Sequence, residues 1–167
     1  MPHPATLDDE SLLRDCTQKQ ARRSGPGGQH RNKVETAVIL YHKPTGVSAE
    51  ASERRSKAEN QRVAVRRLRM RLAIEVRSEP DSEESPSELW RSRVRKGRIA
   101  INAEHRDLPS LIAEALDVLG ACEWDTAAAS QGLGCSATQL VKLLKIERGA
   151  LDKLNAQRKL LGLHPLK

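Results

Sequence analysis

Arg22-Arg23-Ser24-Gly25-Pro26-Gly27-Gly28-Gln29-His30-Arg31-Asn32-Lys33 packs three glycines and a proline into four residues, with basic side chains on both sides. Glycine reaches backbone angles closed to other residues and lets a second molecule approach the main chain closely. Such a loop is either a plain turn or a place where backbone meets substrate, and the basic flanks point to a polyanionic substrate. Just beyond it lies Glu35-Thr36-Ala37-Val38-Ile39-Leu40-Tyr41-His42, whose β-branched content reads as a strand. Lys43-Pro44-Thr45-Gly46 then reads as a turn and Val47 to Ala51 as the returning strand. Upstream, Cys16 to Ala21 suits an edge strand. Thr6 followed by Asp9 resembles a capping box for a short helix over about 7–15.

From Ser56 to about Arg77 the period becomes helical. Val65, Leu68, Leu72 and Val76 fall on one stripe, with Val63, Met70 and Ile74 beside it. Arg62, Arg66 and Arg69 fall on another face, with Arg67 and Arg71 alongside. That face is either solvated surface or a phosphate contact. Residues 79–88 are acidic and rich in Ser and Pro, which marks a linker. After it, Arg91 to Arg98 carries five basic residues in eight. Pro109 opens a helix that stops near Gly120. Trp124 to Ala129 starts a short helix, and Ser136 is placed to cap a longer one after the Gly132-Leu133-Gly134 turn. Leucines from Leu140 through Leu160 and Leu161 continue a helical core to the end. A short helix, a tight turn and a longer helix look like a helix-turn-helix unit. Its second helix offers Gln139, Lys142 and Lys145 but no Arg, so nucleic-acid docking and mere packing both remain open.

The chain has 167 residues, a net charge of +7 and a pI of about 9.7. Residues 1–79 hold 16 Lys+Arg against 10 Asp+Glu, a net of +6; residues 80–167 hold 13 against 12, a net of +1. The basic excess therefore accompanies the glycine loop, and nucleic acid is the first partner to consider. Aromatics are only 2% of the chain, so Leu, Val, Ile and Ala must build the core. Cys16, Cys122 and Cys135 form no Cys-x-x-Cys pair, which suggests reduced structural thiols in a cytoplasmic setting and no zinc knuckle. No metal-ligand spacing, Walker loop or selectable Ser/His/Asp triad stands out, so no metal or cofactor is expected. The acidic, proline-punctuated N-terminus has no targeting pattern, and no apolar run is long enough to span a bilayer.

Gly-Gly-Gln alone is weak evidence, but its surroundings are specific. Arg23 to Gln29 with Asn32, Lys33, Thr36 and Val38, then His42 to Val47 and Arg54 to Asn60, resemble the catalytic domain of class I peptide chain release factors and the related ribosome-rescue peptidyl-tRNA hydrolases. The resemblance covers roughly residues 6–78. Relatives often carry Val at the position of Arg31 and Gln at that of Lys57, which leaves the Gly-Gly-Gln core intact. The resemblance implies hydrolysis of the ester between peptide and P-site tRNA, with the loop in the peptidyl-transferase centre. It gives Gly27, Gly28 and Gln29 the catalytic roles: the glycines permit the backbone shape, and the Gln29 main-chain N–H stabilises charge on the reacting ester. The Gln29 side chain would admit water and exclude larger nucleophiles. Preorganised backbone donors of this kind are effective electrostatic catalysts. Loop support or RNA contact falls to Arg22, Arg23, His30, Arg31, Asn32 and Lys33, and on the following helix and its approach to Arg55, Arg62, Arg66 and Arg69. Gln29 is also a candidate methylation site for a glutamine methyltransferase.

The expected architecture is α+β: a small β-sheet with a long packing helix over 6–78, the linker 79–88, and a basic segment with a small all-α helix-turn-helix-like domain over 89–167. Little chain precedes the catalytic domain, so the expected activity is codon-independent release or rescue by a monomer acting on the ribosome. Two further readings stay open: a non-catalytic ribosome- or RNA-binding factor, and an auxiliary release factor that needs a partner to choose its target.

Overall fold

The computed structural model describes residues 2–22, 36–80 and 85–167. The chain divides into two compact units, Pro2–Glu75 and Val76–Lys167. The architecture is α+β, as the sequence implies.

In the first unit a single 3-10 turn, Pro4–Thr6, leads into α1 (Asp9–Arg14). The cap of α1 is Asp8, where the sequence suggested Thr6. Its carboxylate accepts the Ser11 backbone N–H at 2.9 Å and the Ser11 hydroxyl at 2.7 Å. Thr6 instead donates its hydroxyl to the His3 carbonyl at 2.7 Å, closing the preceding turn. The sheet follows as β1 (Cys16–Ala21), β2 (Ala37–His42) and β3 (Ser48–Ala51), all antiparallel in that spatial order. Val38 lies opposite Ala51 and Leu40 opposite Ala49. All four are buried, so large residues on the central strand alternate with alanines on the edge strand. Those alanines let α2 (Lys57–Glu75) lie close to the sheet, where it buries Ala64, Val65, Leu68, Leu72 and Ala73. His42 also points into this core, with its Nδ1 2.7 Å from the Thr45 hydroxyl. Burial holds its pKa below the usual imidazole range.

The second unit starts with α3 (Glu88–Arg93), capped by Ser87 through a 3.1 Å bond from the Trp90 N–H. A small hairpin, β4 (Val94–Arg95) and β5 (Arg98–Ile99), follows. Lys96 and Gly97 form its turn with φ of 49° and 72°. Two successive left-handed residues match the twist of a two-residue hairpin, and glycine meets that demand without strain. The sequence indicated only a basic run here. The helices α4 (Leu108–Ala121), α5 (Thr126–Gly132), α6 (Ala137–Ile146) and α7 (Arg148–Leu160) complete the unit.

Helix α4 is its axis, with Leu111, Ile112, Leu116 and Leu119 fully buried. Trp90 is also fully buried, and its indole N–H donates to the Leu133 carbonyl at 2.8 Å. The short helix α5 starts at Thr126 and not at Trp124. Glu123 and Trp124 take left-handed angles, and Asp125 caps the helix by accepting the Ala127 and Ala128 N–H groups. Ser136 caps α6 through the Gln139 N–H at 3.2 Å. The leucine core stops short of the C-terminus: Leu160 and Leu161 are exposed, while Asn155 pins the last residues by exchanging two hydrogen bonds with the Leu166 backbone. Residues 81–84 of the expected linker lie outside the described residues.

Both flanks of that linker are held by α4. Asp117 accepts from Arg77 at 2.9 Å and from the Ser78 N–H at 3.1 Å, and Glu114 accepts from the Ser87 N–H and hydroxyl. Burial raises the Asp117 pKa from 3.8 to about 6, outweighing the Ser78 bond and the Arg77 charge. The folded chain therefore holds a proton there between roughly pH 4 and 6 that the unfolded chain has lost. Stability from this group falls as pH rises through that window and is lowest above it, by an amount on the order of 3 kcal/mol at most. Urea unfolding is expected to show Asp117→Asn losing much less stability than the wild type between pH 5 and 7.5. An unchanged difference would refute this assignment.

Candidate functional site

The two ends of the glycine loop are fixed by strand pairing. Ala21 closes β1 directly opposite Ala37, which opens β2, so the connection leaves and re-enters the sheet at one point. Arg23, Gly27, Gly28, Gln29, His30, Arg31, Asn32 and Lys33 lie outside the described residues. Arg22, at the loop entry, is exposed.

At the loop exit the backbone is tied to α2 by Asn60. Its Nδ2 donates to the Thr36 carbonyl at 2.7 Å and to the Arg54 carbonyl at 3.0 Å, and its Oδ1 accepts the Arg54 N–H at 2.9 Å. Asn60 is fully buried. One amide thus joins the loop exit, the 52–56 bend and the first turn of α2. The start of that helix is held by Ser56, whose carbonyl accepts the Asn60 N–H at 3.0 Å. Asn60 was not among the residues expected to serve the site. Its sequence signal was a polar residue four positions before Ala64 and eight before Leu68, on the buried stripe of the helix. A buried polar side chain there must have fixed partners.

The arginines of α2 and of the bend before it include three groups. Arg67 donates to the Glu50 carbonyl at 2.8 Å and pairs with Glu53, and Arg71 donates to the Ser48 carbonyl and pairs with Glu75 at 2.9 Å. These two dress the edge strand β3, a common way to blunt an exposed sheet edge. The Arg67 guanidinium holds the Glu53 carboxyl down at about 2.

Arg69 is the second group, and it is turned inward, away from the solvent-facing side where RNA contact or loop support was expected. Arg69 is buried, donates to the Leu7 carbonyl and lies 3.3 Å from Asp9. Helical spacing places it near Arg62 and Arg66, but the N-terminal turn folds over it. Arg69→Ala is expected to lower the stability of the first unit by about 2 kcal/mol, because a part-buried carbonyl loses its donor and the stem its packing. Arg62→Ala should change it by less than about 0.5 kcal/mol. Thermal unfolding of both variants checks this. The third group, Arg55, Arg62 and Arg66, has exposed side chains.

The cysteines are free, and burial pushes the Cys16 and Cys135 thiols up, away from nucleophilic reactivity. Among the described residues no group of three or more His, Cys, Asp or Glu side chains is placed to hold a metal ion. Nor is any described helix long and apolar enough to cross a membrane.

A family model described as the RF-1 domain matches residues 12–107, more than half of the chain. The chain belongs to the RF-1 domain family. Its similarity extends to "Peptide chain release factor 1" of Symbiobacterium thermophilum, 37% identical over 97 residues that cover 58% of this chain and 27% of that protein. The mitochondrial "Peptide chain release factor 1" of Bos taurus is 40% identical over 76 residues, 46% of this chain and 17% of the relative. The Frankia casuarinae "Peptide chain release factor 1" is 31% identical over 150 residues, 78% of this chain and 42% of the relative. The chain thus matches less than half the length of each of these relatives. The RF-1 domain match ends at the residue before α4, so the family model does not account for α4 to α7.

Proposed function

We propose that this RF-1 domain protein hydrolyses the ester of peptidyl-tRNA on the ribosome, with Gly27, Gly28 and Gln29 forming the catalytic loop. The observation that carries the reading is the Gly-Gly-Gln tripeptide within its basic frame, set between two paired strands and tied at its exit by buried Asn60. A backbone N–H aimed at the developing oxyanion suits such a loop, since it needs close approach and a fixed base more than acidic or basic side chains. Exposed Arg55, Arg62 and Arg66, with Arg22 at the entry, supply positive charge on the same unit for ribosomal RNA phosphates. The names of the relatives, all peptide chain release factors, support the same assignment.

The finer reading is codon-independent release or rescue by a monomer in the cytoplasm, with Gln29 open to a glutamine methyltransferase. The two domains expected from the sequence, 6–78 and 89–167, would divide the labour, the first carrying the loop and the second selecting the target. Purified chain incubated with ribosomes holding labelled peptidyl-tRNA should release peptide both with and without a stop codon in the A site. Release confined to stop codons would overturn codon independence. No release in either condition would favour a non-catalytic ribosome-binding factor, and release restored only by cell extract would favour an auxiliary factor.

A further inference from the structure

The second unit is almost neutral in sum, but its charges are segregated. From Trp90 to Ala103 there is no Asp or Glu, and from Thr126 to Ile146 again none. The fold brings these two segments together. The Ser136 N–H donates to the Gly97 carbonyl and the Ile99 N–H to the Gln139 side chain, each at 3.4 Å, so the β4–β5 turn rests against the start of α6.

Arg95, Lys96 and Arg98 are exposed on that turn. Thr138, Lys142 and Lys145 share the exposed face of α6, opposite buried Leu140 and Leu144, and Lys142 stands one turn beyond Gln139. Several acidic residues of the unit are engaged by other partners or flank these segments. Glu114 and Asp117 bind the linker flanks, and Asp107 neutralises Arg93 at 2.8 Å. Glu88 sits on α3 before Arg91, and Glu147 lies just past the end of α6.

We propose that the β4–β5 turn and the outer face of α6 form one double-stranded RNA interface, in which Arg95, Lys96, Arg98, Lys142 and Lys145 contact backbone phosphates. Charge complementarity selects a polyanion. Single strands are disfavoured because they are usually held by aromatic stacking, and the only aromatic residue in either segment, Trp90, is fully buried. Base reading in a groove is disfavoured because α6 carries no Arg and its lysines act as point charges. Phosphate and shape recognition, the usual mode for A-form helices, fits what is present. The preference for RNA over DNA rests on the ribosomal reading above. The patch lies on the unit that the family model only partly covers, and it is chemically separate from ester hydrolysis.

The test is binding of the full chain to a fluorescent RNA stem of about 20 base pairs, a length that spans such an interface. One variant carries Arg95→Ala, Lys96→Asn and Arg98→Ala, with Asn chosen because it tolerates the left-handed turn position. A second carries Lys142→Glu and Lys145→Glu on the exposed helix face, where folding is not at stake. Each should bind at least tenfold more weakly, and the slope of log affinity against log salt should fall by about one per phosphate contact removed. Arg95→Lys with Arg98→Lys should retain the wild-type slope. Unchanged affinity and slope in both charge variants would overturn the interface. Equal binding of a DNA duplex would overturn the RNA assignment, and equal competition by polyglutamate would overturn nucleic acid altogether. Because no hydrolysis is read, inactivity of the loop would sink the enzymatic proposal and leave this one standing.

Discussion

Gly28→Ala is expected to slow peptide release by about 10²- to 10³-fold, the usual cost of losing one preorganised oxyanion donor. On the proposed mechanism the reacting ester meets the main-chain N–H of Gln29, and that N–H is aimed by the conformation of the residue before it. A methyl group at position 28 restricts the backbone and obstructs close approach of the substrate. Gln29→Ala should behave differently. It keeps the N–H and removes the side chain that discriminates among nucleophiles. Release by water should therefore fall less than in Gly28→Ala, while release by added hydroxylamine should rise relative to water. Single-turnover release from labelled ribosomal complexes measures both. If the two variants lose water-dependent release equally and hydroxylamine gains nothing, the division between backbone and side chain is wrong.

Asn60→Ala should produce the next largest loss, from a position that need not touch substrate. The substitution leaves two carbonyls and one N–H, those of Thr36 and Arg54, without the partner that now serves all three. Each unsatisfied buried group costs about 1–3 kcal/mol. Water entering the space left by the amide recovers part of this, so a net destabilisation of about 3 kcal/mol is expected. The loop exit also loses its tether, and a displacement of about 1 Å at a reacting group can cost 10²-fold in rate. Release at a temperature where the variant stays folded should fall more than tenfold, with Arg62→Ala as the comparison that leaves the scaffold intact. Full activity in a folded Asn60→Ala chain would show that Thr36 does not set the loop.

Much of the first unit could be read from residue order because its signals are local. The β-branched run at Ala37–His42 and the spacing of Val65, Leu68 and Leu72 each settle one element without reference to any other. The fate of the arginines could not be read that way. Spacing fixes the angle of Arg67, Arg69 and Arg71 around the helix, but not that β3 carbonyls or the Leu7 carbonyl stand within reach. A contact spanning 62 residues, as between Arg69 and Leu7, leaves no local trace. The β4–β5 hairpin was hidden for another reason. Its strands are two residues long, too short for alternation to register, and Lys96-Gly97 is a less common turn pair than Asn-Gly. For the candidate site, motif and flanks were legible as a string, whereas the amide that anchors the exit was visible only as a misplaced polar residue.

The sealed position of Trp90 has a practical side. Both tryptophans, Trp90 and Trp124, belong to the second unit, whereas the first has only Tyr41. Indole emission is thus a private optical channel for one half of the chain, and Trp90 should redden sharply once water reaches its ring. Far-ultraviolet dichroism reads helices in both halves. Recorded together during one melt, the two signals should separate the unit that presents the loop from the unit that carries the basic turn, with no label attached to either.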